Sequence, residues 1–399
     1  MHAREILRDF LRGACTTMHQ GRREALVSTV SSALGGSALT VTSLGRGLSK
    51  QGAEKHHIKR VDRLLSNPHL QVESTALYTA LGRRLVAGTV RALISVDWSN
   101  LDRAKRNYLL RASVALDGRA MTLYEEVHPR DRFQKAKTER RFLRHLSEVL
   151  GPRVRPIIIT DAGFHNPWFN AVLERGWDFI GRVRGRVMLA TQCDDWVQAK
   201  RLFARASSRP QRLEYTQLSR HTPIACRFVL MKQSRRGRHQ LNQDGQPARS
   251  ENAKVQARAR REPWLLATSL KLDERIAPRR IINAYRTRMQ IEESFRDLKS
   301  VRFGLGFEAS RAFTVERIAM LLLVALLATF IAWLLGACVE AAGQHRRYQA
   351  NTVKSRRVLS RIYVGRRAVH DPSLDCCSNA LDAAFALLCN LVQRNSQDL

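Results

Sequence analysis

The stretch "RPIIITDAGF" (155–164) decides the fold, because three consecutive isoleucines lead through one threonine into the acidic residue Asp161. Such a short apolar run is typical of a strand that is buried on both faces of a sheet. A second run of this kind, "ALISVDWS" (92–99), contains Asp97 where its apolar part ends. Each run therefore predicts a buried strand with a carboxylate near its carboxyl end.

The segments between and after these two runs predict a mixed sheet. Asp117-Gly118 is a strong hairpin turn between two alternating stretches, and Gly151-Pro152 stops the helix that follows them. We expect seven elements, in the order strand 92–99, strand 108–116, strand 120–127, helix 137–151, strand 155–164, helix 166–177 and strand 178–185.

The connections between these elements limit the topology. The first three strands should be antiparallel, and the helical crossover should return the fourth strand parallel to the first and beside it. This is the ribonuclease-H-like topology, an α/β fold with a mixed five-stranded sheet. In this fold Asp97 and Asp161 would lie at the carboxyl ends of neighbouring parallel strands, where open sheets bind their ligands.

The rest of the chain reads as an insertion and two helical ends. Strand-like runs at 212–217 and 224–232 precede a basic stretch at 234–261, which is either a DNA-binding arm or a disordered linker. We expect five regions: a helical N-terminal DNA-binding region (1–88), the first part of the catalytic core (89–185), a β-rich insertion with a basic loop (186–262), the second part of the core (263–312) and a helical C-terminal region (313–399).

Basic residues cluster in both helical regions. Two short helices are predicted at 39–48 and 55–67, and they form either a helix-turn-helix that grips DNA or a small bundle with a solvated basic face. Residues 346–369 carry eight basic residues and no acidic residue. They either bind DNA or form a solvated basic surface.

The charge of the whole chain points to a polyanionic partner. Its 399 residues include 68 Lys and Arg against 35 Asp and Glu, a net charge of +33. Self-repulsion at this charge destabilises the folded state, so DNA or RNA is the first expectation and an anionic membrane surface the second. An arginine-rich codon bias would also raise the basic count, but it need not leave the acidic residues at about half the number of basic ones.

Three further features concern the cellular compartment. The seven cysteines form no CxxC pair, which fits a reduced, intracellular chain. The stretch "MHAREILRDF" (1–10) has no apolar signal-peptide core, so we expect a cytoplasmic protein. Residues 318–339 hold 22 residues without a charge, long enough to span a bilayer. We favour a buried core helix, because an all-round apolar helix also fits the interior of a large protein.

The stretch "YRTRMQIEESFRDLK" (285–299) predicts one amphipathic helix with an unusual polar stripe. At 100° per residue, four of its side chains fall within about 60° of one another around the helix axis. They are Tyr285, Arg288, Glu292 and Lys299. A solvated helix face usually scatters its charges, so this alignment indicates a binding surface.

Paired carboxylates and this stripe together suggest metal-dependent phosphodiester chemistry. Asp97 and Asp161 would repel each other unless cations neutralise them, and Glu292 is a candidate third oxygen ligand for Mg²⁺ or Mn²⁺. Two such ions about 4 Å apart can activate one oxygen and stabilise another. Because 35 acids offer many such triads, and Glu293 is an immediate rival, the residues alone leave this choice open.

The spacing from Tyr285 to Lys299 resembles the Y-(2)-R-(3)-E-(6)-K signature of the insertion-sequence-four family of bacterial transposases. "VDWS", "DAGF", "RVRG" and "RMQIEESFRDLKS" are similar to motifs of that family across nearly the whole chain. The resemblance implies a DDE enzyme in which Asp97, Asp161 and Glu292 bind two Mg²⁺ ions, with Mn²⁺ able to substitute. Glu292 is preferred to Glu293 because only it keeps the spacing.

The resemblance also implies a reaction path and its DNA contacts. Family members excise their element by hydrolysis, then a DNA hairpin, then strand transfer into a target. Tyr285, Arg288 and Lys299 would hold the cleaved strand, and Trp264 would stack on a flipped base. Met289 would wedge into the vacated stack, although core packing explains Trp264 and Met289 as well.

The sequence therefore predicts a cut-and-paste DNA transposase that acts on double-stranded DNA, at its own element's ends and at a target. The resemblance implies a homodimer in the DNA complex, in the bacterial cytoplasm near the nucleoid, without a membrane. Three rival interpretations stay open: a repressor derived from a transposase without catalysis, a structure-selective nuclease on the same fold, and a membrane-attached protein.

Overall fold

A computed structural model gives the fold as two compact units. The first comprises Met1–Arg155 with Arg288–Gln397, and the second Pro156–Thr287 with Asp398–Leu399. The structure describes residues 3–48, 52–191, 193, 195–233, 251, 262–272, 277–353, 355–371, 376–397 and 399. The five regions expected from the sequence do not coincide with these two units, and they stay a prediction.

The N-terminal part of the first unit is helical, as predicted. Its helices are α1 (Ala3–Ala14), α2 (Gln20–Leu34), α3 (Val41–Arg46), α4 (Glu54–Leu65) and α5 (Pro68–Leu85). Helix α5 begins at Pro68 because the Asn67 side chain accepts hydrogen bonds from the backbone N–H groups of His69 and Leu70. The backbones of α3 and α4 approach closely at Gly45. A Cβ at that position would lie only 2.6 Å from the Cα of Ile58.

Three antiparallel strands follow in the first unit, as predicted. They are β1 (Leu93–Asn100), β2 (Asn107–Ala115) and β3 (Ala120–Pro129), in the order β3-β2-β1. Gly118 takes the left-handed conformation that the hairpin turn requires, with φ +80°. Helix α6 (Ala136–Leu150) then follows β3.

The strand predicted over 92–99 is present as β1, and Asp97 lies three residues before its end. Strand β1 continues to Asn100, because its residues still pair with β2 up to the pair Asn100 and Tyr108. Asp97 lies inside this ladder, opposite Arg111.

The second unit begins with the predicted strand, helix and strand. Strand β4 (Ile157–Thr160) and strand β5 (Asp178–Val183) are parallel, and α7 (Asn166–Leu173) connects them. The later elements are β6 (Met188–Ala190), β7 (Trp196–Gln198), α8 (Ala199–Leu202), β8 (Gln211–Leu213), β9 (Gln217–Leu218), β10 (Ile224–Ala225), β11 (Arg227–Met231), β12 (Trp264–Thr268) and α9 (Pro278–Thr287).

The insertion contributes strands to the main sheet of this unit. The five strands expected for the whole core are therefore too few, because the first unit has three strands and the main sheet of this unit has five more. Within this unit the strands pair in the order β4-β5-β12-β11-β8, while β10-β9-β6-β7 form a second, small sheet. Strand β12 pairs with β5 on one side and with β11 on the other, so two strands of the insertion extend the core sheet. The predicted basic loop at 234–261 lies outside the described residues except for Glu251.

The chain then returns to the first unit with four helices. They are α10 (Met289–Lys299), α11 (Val315–Ala341), α12 (Arg361–Ala368) and α13 (Ser378–Gln397). The helix predicted over 285–299 is wrong as one element, because α9 ends at Thr287 and α10 begins at Met289. The Thr287 hydroxyl donates to the carbonyl of Ala284, and the Ile291 N–H bonds to the carbonyl of Arg288 three residues earlier. Four short 3-10 turns complete the described elements: Arg130–Arg132, Phe203–Arg205, Phe307–Ala309 and Gln344–Tyr348.

Helix α11 contains the 22-residue uncharged stretch. Among the residues that the structure describes, α11 is the one helix that is long and apolar enough to cross a membrane. Most of its side chains are buried, and it packs against α2, α12, α13 and β3 of the same unit. This burial supports the interpretation as a core helix, since helices of the protein itself surround the apolar surface.

Candidate active site

Arg288 joins two of the predicted acidic residues within the first unit. Its Nη1 donates to Asp97 Oδ2 at 3.0 Å, and its Nη2 donates to Glu292 Oε1 at 2.7 Å. Arg288 and Asp97 are only 8% and 9% exposed, whereas Glu292 is open to solvent. Paired and hydrogen-bonded charges can be buried at acceptable cost, so this arrangement is a defined structure rather than a chance surface contact.

The neighbouring acid, Glu293, has different partners. It forms ion pairs with Arg296 and Arg119 at the surface of the same unit. Glu292 therefore shares a cation with Asp97, whereas Glu293 pairs with two other arginines.

Lys299 lies in the same cleft. Its Nζ donates to Ser99 Oγ at 2.8 Å, two residues after Asp97 on strand β1. Burial lowers the pKa of Lys299 to about 8, although the carboxylate of Glu308 opposes this shift. The cleft has a volume of about 460 Å³ and is lined by Asp97, Trp98, Ser99, Glu292, Phe295, Arg296, Lys299, Ser300 and Glu308.

A buried ion pair supports this cleft from behind. Arg111, directly opposite Asp97 in the ladder, donates to Glu125 Oε2 at 2.7 Å, and the Tyr78 hydroxyl donates to the other oxygen. The guanidinium of Arg111 also lies 5.0 Å from the ring centre of Phe295 on α10. Because Phe295 lies between Glu292 and Lys299 in sequence, this stack holds the helix segment that presents both side chains.

A second buried acid lies behind strand β1. The Trp98 indole N–H donates to Glu139 Oε1 at 3.1 Å, and burial raises the pKa of Glu139 to about 7. Sequence reasoning missed both supporting acids, Glu125 and Glu139. The available signal was charge within apolar stretches, since Arg111 interrupts the run "YLLRASVAL".

The remaining predicted site residues divide between the two units. In the second unit, Asp161 directly follows β4 and accepts a hydrogen bond from the Gly163 N–H at 2.8 Å. Trp264 and Tyr285 form an edge-to-face pair there, with ring centres 4.9 Å apart. Tyr285 is only 2% exposed. In the first unit, half-buried Met289 begins α10, and its sulfur lies 3.9 Å from Arg288 Nη2.

The donor chemistry of this cleft suits a divalent cation. Among the described residues there is no group of three or more His, Cys, Asp or Glu side chains arranged to hold a metal ion. However, the carboxylates of Asp97 and Glu292 converge on one cationic group, and oxygen donors are the ligands that Mg²⁺ prefers. The guanidinium of Arg288 holds this central position, so an ion bound by both acids would displace it.

Comparison with known families gives the class of the protein. Residues 89–331, more than half of the chain, match the family model described as the transposase DDE domain. This match places the chain among the transposases. The chain belongs to the transposase DDE domain family, and the matched range contains Asp97, Asp161 and Glu292. No curated protein is similar enough to the chain to count as a match.

Proposed function

We propose that this protein is a cut-and-paste DNA transposase of the insertion-sequence-four family. It binds the terminal inverted repeats of its element, cleaves the ends by hydrolysis and hairpin formation, and joins them to target DNA. The observation that carries the proposal is the bridge from Arg288 to Asp97 and Glu292 inside the matched domain. This bridge gathers two of the three expected acids around a cation.

In the proposed reaction Asp97, Asp161 and Glu292 would hold two Mg²⁺ ions, and Mn²⁺ would be able to substitute for them. Such ions supply an activated oxygen for attack and charge stabilisation for the leaving oxygen. Arg288 would then have to leave the two carboxylates. The released guanidinium could bind a DNA phosphate through two parallel hydrogen bonds, because its geometry suits bidentate binding. Arg288 would thus exchange an internal anion for the substrate.

Lys299 and Tyr285 complete the proposed grip on the cleaved strand. With a pKa of about 8, the Lys299 ammonium is mostly protonated at neutral pH, and its bond to Ser99 aims it into the cleft beside Asp97. Tyr285 is buried against Trp264, so its contact with DNA requires a rearrangement when DNA binds.

The N-terminal helices offer a surface for the element's ends. A groove of about 900 Å³ at helices α2 and α4 has no acidic side chain in its lining. Its basic and histidine side chains are His19, Arg22, Lys55, His56, Lys59, Arg60 and Arg63. Glu73 neutralises Arg22, but the α4 cations remain to contact phosphates. We infer that each subunit of a homodimer binds one element end in this groove, so that the DNA complex pairs two ends. We place this complex in the cytoplasm and not at a membrane.

The test is cleavage and joining of element DNA. The DNA that flanks the gene supplies the candidate inverted repeats, which are placed on a labelled duplex with a supercoiled plasmid as target. In Mg²⁺ we expect nicks at the repeat ends and joining of the free 3′-hydroxyl to the plasmid. Cleavage without joining would favour the nuclease interpretation, and binding without cleavage would favour the repressor.

Removal of the Trp264 ring should separate two steps of the reaction. Stacking of a base on an aromatic ring is worth about 1–3 kcal/mol, so Trp264→Ala should slow hairpin formation by about 10-fold or more. The first nick should keep its wild-type rate, as measured on denaturing gels that resolve nicked and hairpin products. Trp264→Phe is the matched control. An equal loss of both steps, with a lower melting temperature, would assign Trp264 to packing against Tyr285.

A further inference from the structure

A second cleft in the first unit is not used by the proposed reaction. It has a volume of about 590 Å³ and lies among strand β3 and helices α10, α11 and α12. Three large hydrophobic side chains in its lining are exposed: Phe303 by 62%, Val358 by 50% and Tyr363 by 41%. Clustered apolar groups at the surface of a protein mark binding sites more often than chance.

The backbone holds Phe303 firmly in this exposed position. The Phe303 N–H bonds to Ser300 Oγ, and the Leu305 N–H bonds to the carbonyl of Asp297 at 2.7 Å. A Cβ on Gly304 would lie 1.9 Å from the same carbonyl oxygen, so the turn is pressed against the end of α10. An aromatic ring presented to solvent by such an ordered turn loses little entropy when it binds a partner.

The lining also supplies positive charge. The Arg366 guanidinium donates to the carbonyl of Gly304 at 2.8 Å, and its buried Nε has no hydrogen-bond partner within the described part of the chain. Tyr363 lies three residues earlier on the same helix, so both side chains share one face of α12. Within the same turn, the Arg302 guanidinium lies 4.9 Å from the centre of the Phe303 ring.

We propose that this cleft binds an unpaired nucleotide of the DNA substrate. The base packs on the rings of Phe303 and Tyr363, and the phosphate binds Arg366. The inference rests on the proposed function for the presence of DNA. Exposed aromatic rings interleaved with arginines are the arrangement by which proteins hold single-stranded nucleic acid.

The charge of the chain argues against a second copy as the occupant. Without DNA to neutralise it, a second copy brings the same net charge of +33 towards Arg366 and Arg302, whereas a nucleotide brings the negative charge that these two residues attract. A base also offers a flat face to both rings.

The experiment uses the full-length protein and a short single strand that carries 2-aminopurine. Binding should quench the fluorescence of this base, because stacking on an aromatic ring quenches it. Phe303→Ala and Tyr363→Ala should each weaken single-strand binding by about 10-fold and reduce the quenching, within the range for stacked bases. Affinity for the blunt, fully paired element end should stay at the wild-type value.

Phe313→Ala is the matched control. Phe313 is 58% exposed and has the Arg106 guanidinium 4.6 Å from its ring centre, but it does not line this cleft. It should keep wild-type quenching and affinity. Thermal melting of all three variants checks the fold, and truncation of these exposed rings should leave it intact.

Several results would overturn the proposal. They are equal behaviour of the Phe303 and Phe313 variants, unchanged single-strand affinity in Phe303→Ala and Tyr363→Ala, or a dimer in sedimentation that only the cleft variants abolish. A protein that cleaves and joins element ends but shows unchanged quenching in the variants refutes the cleft alone. A protein that binds the single strand through these rings but never cleaves refutes the transposase proposal alone.

Discussion

Asp97→Asn should bind element-end DNA as tightly as the wild type and should lose nicking in Mg²⁺ by about 1,000-fold or more. An asparagine keeps the size of the side chain but removes the negative charge that a divalent cation requires. Metal ions contribute several kcal/mol to the stabilisation of the transition state, and each 1.4 kcal/mol is about a factor of ten in rate. Gel mobility shifts measure binding, and nicking is followed on denaturing gels.

The environment of Asp97 makes this variant interpretable. Arg288 loses a charged partner but retains Glu292, so the guanidinium is not left alone among the described contacts. A melting curve measures how much thermal stability the variant loses because this ion pair is weakened. Asp102→Asn is the control, because Asp102 lies on the same chain segment but binds the backbone N–H groups of Arg106 and Asn107. Equal nicking by Asp97→Asn and wild type would refute the site.

Local chemistry accounts for the parts of the fold that the sequence predicts well. The Asp117-Gly118 turn fixes the β2–β3 hairpin, because glycine alone adopts its positive φ without strain. The spacing of Arg288 and Glu292 brings the two side chains onto adjacent turns, and they do form an ion pair. Both features depend only on residues that are close in sequence.

Features set by long-range pairing escaped prediction. The placement of β8 and β11 beside β12 depends on pairing between strands that are far apart in sequence. No periodicity in the sequence carries this information, because a strand or helix pattern gives the class of an element but not its partners.

The supporting residues of the site were missed for the same reason. Arg111 and Glu125 are fourteen residues apart in sequence, and only the register of the hairpin places them directly opposite each other. Glu139 lies on α6 and reaches Trp98 through the tertiary fold. A sequence shows that a charge interrupts an apolar run, but the structure shows which opposite charge permits it.

The second large effect is expected at the contact of α11 with α12, where Gly365→Ala should destabilise the first unit. A Cβ on Gly365 would lie 1.8 Å from the carbonyl oxygen of Ala332, and one on Gly336 would lie 1.9 Å from that of Arg361. Both obstacles are backbone atoms, so the helices themselves have to move apart. Overpacking typically costs about 1–3 kcal/mol and occasionally more, which exceeds the gain in helix propensity of about 1 kcal/mol.

The measurement is the melting temperature of Gly365→Ala and Gly336→Ala, which should each fall by about 4 °C or more. Gly13→Ala is the control, because a Cβ there meets only the Arg84 side chain at 3.6 Å, and it should hold or raise the melting temperature. Equal melting of all three variants would contradict close contact of the two backbones. Since α12 also carries Tyr363 and Arg366, its displacement should weaken single-strand binding in Gly365→Ala while the N-terminal groove still binds duplex ends.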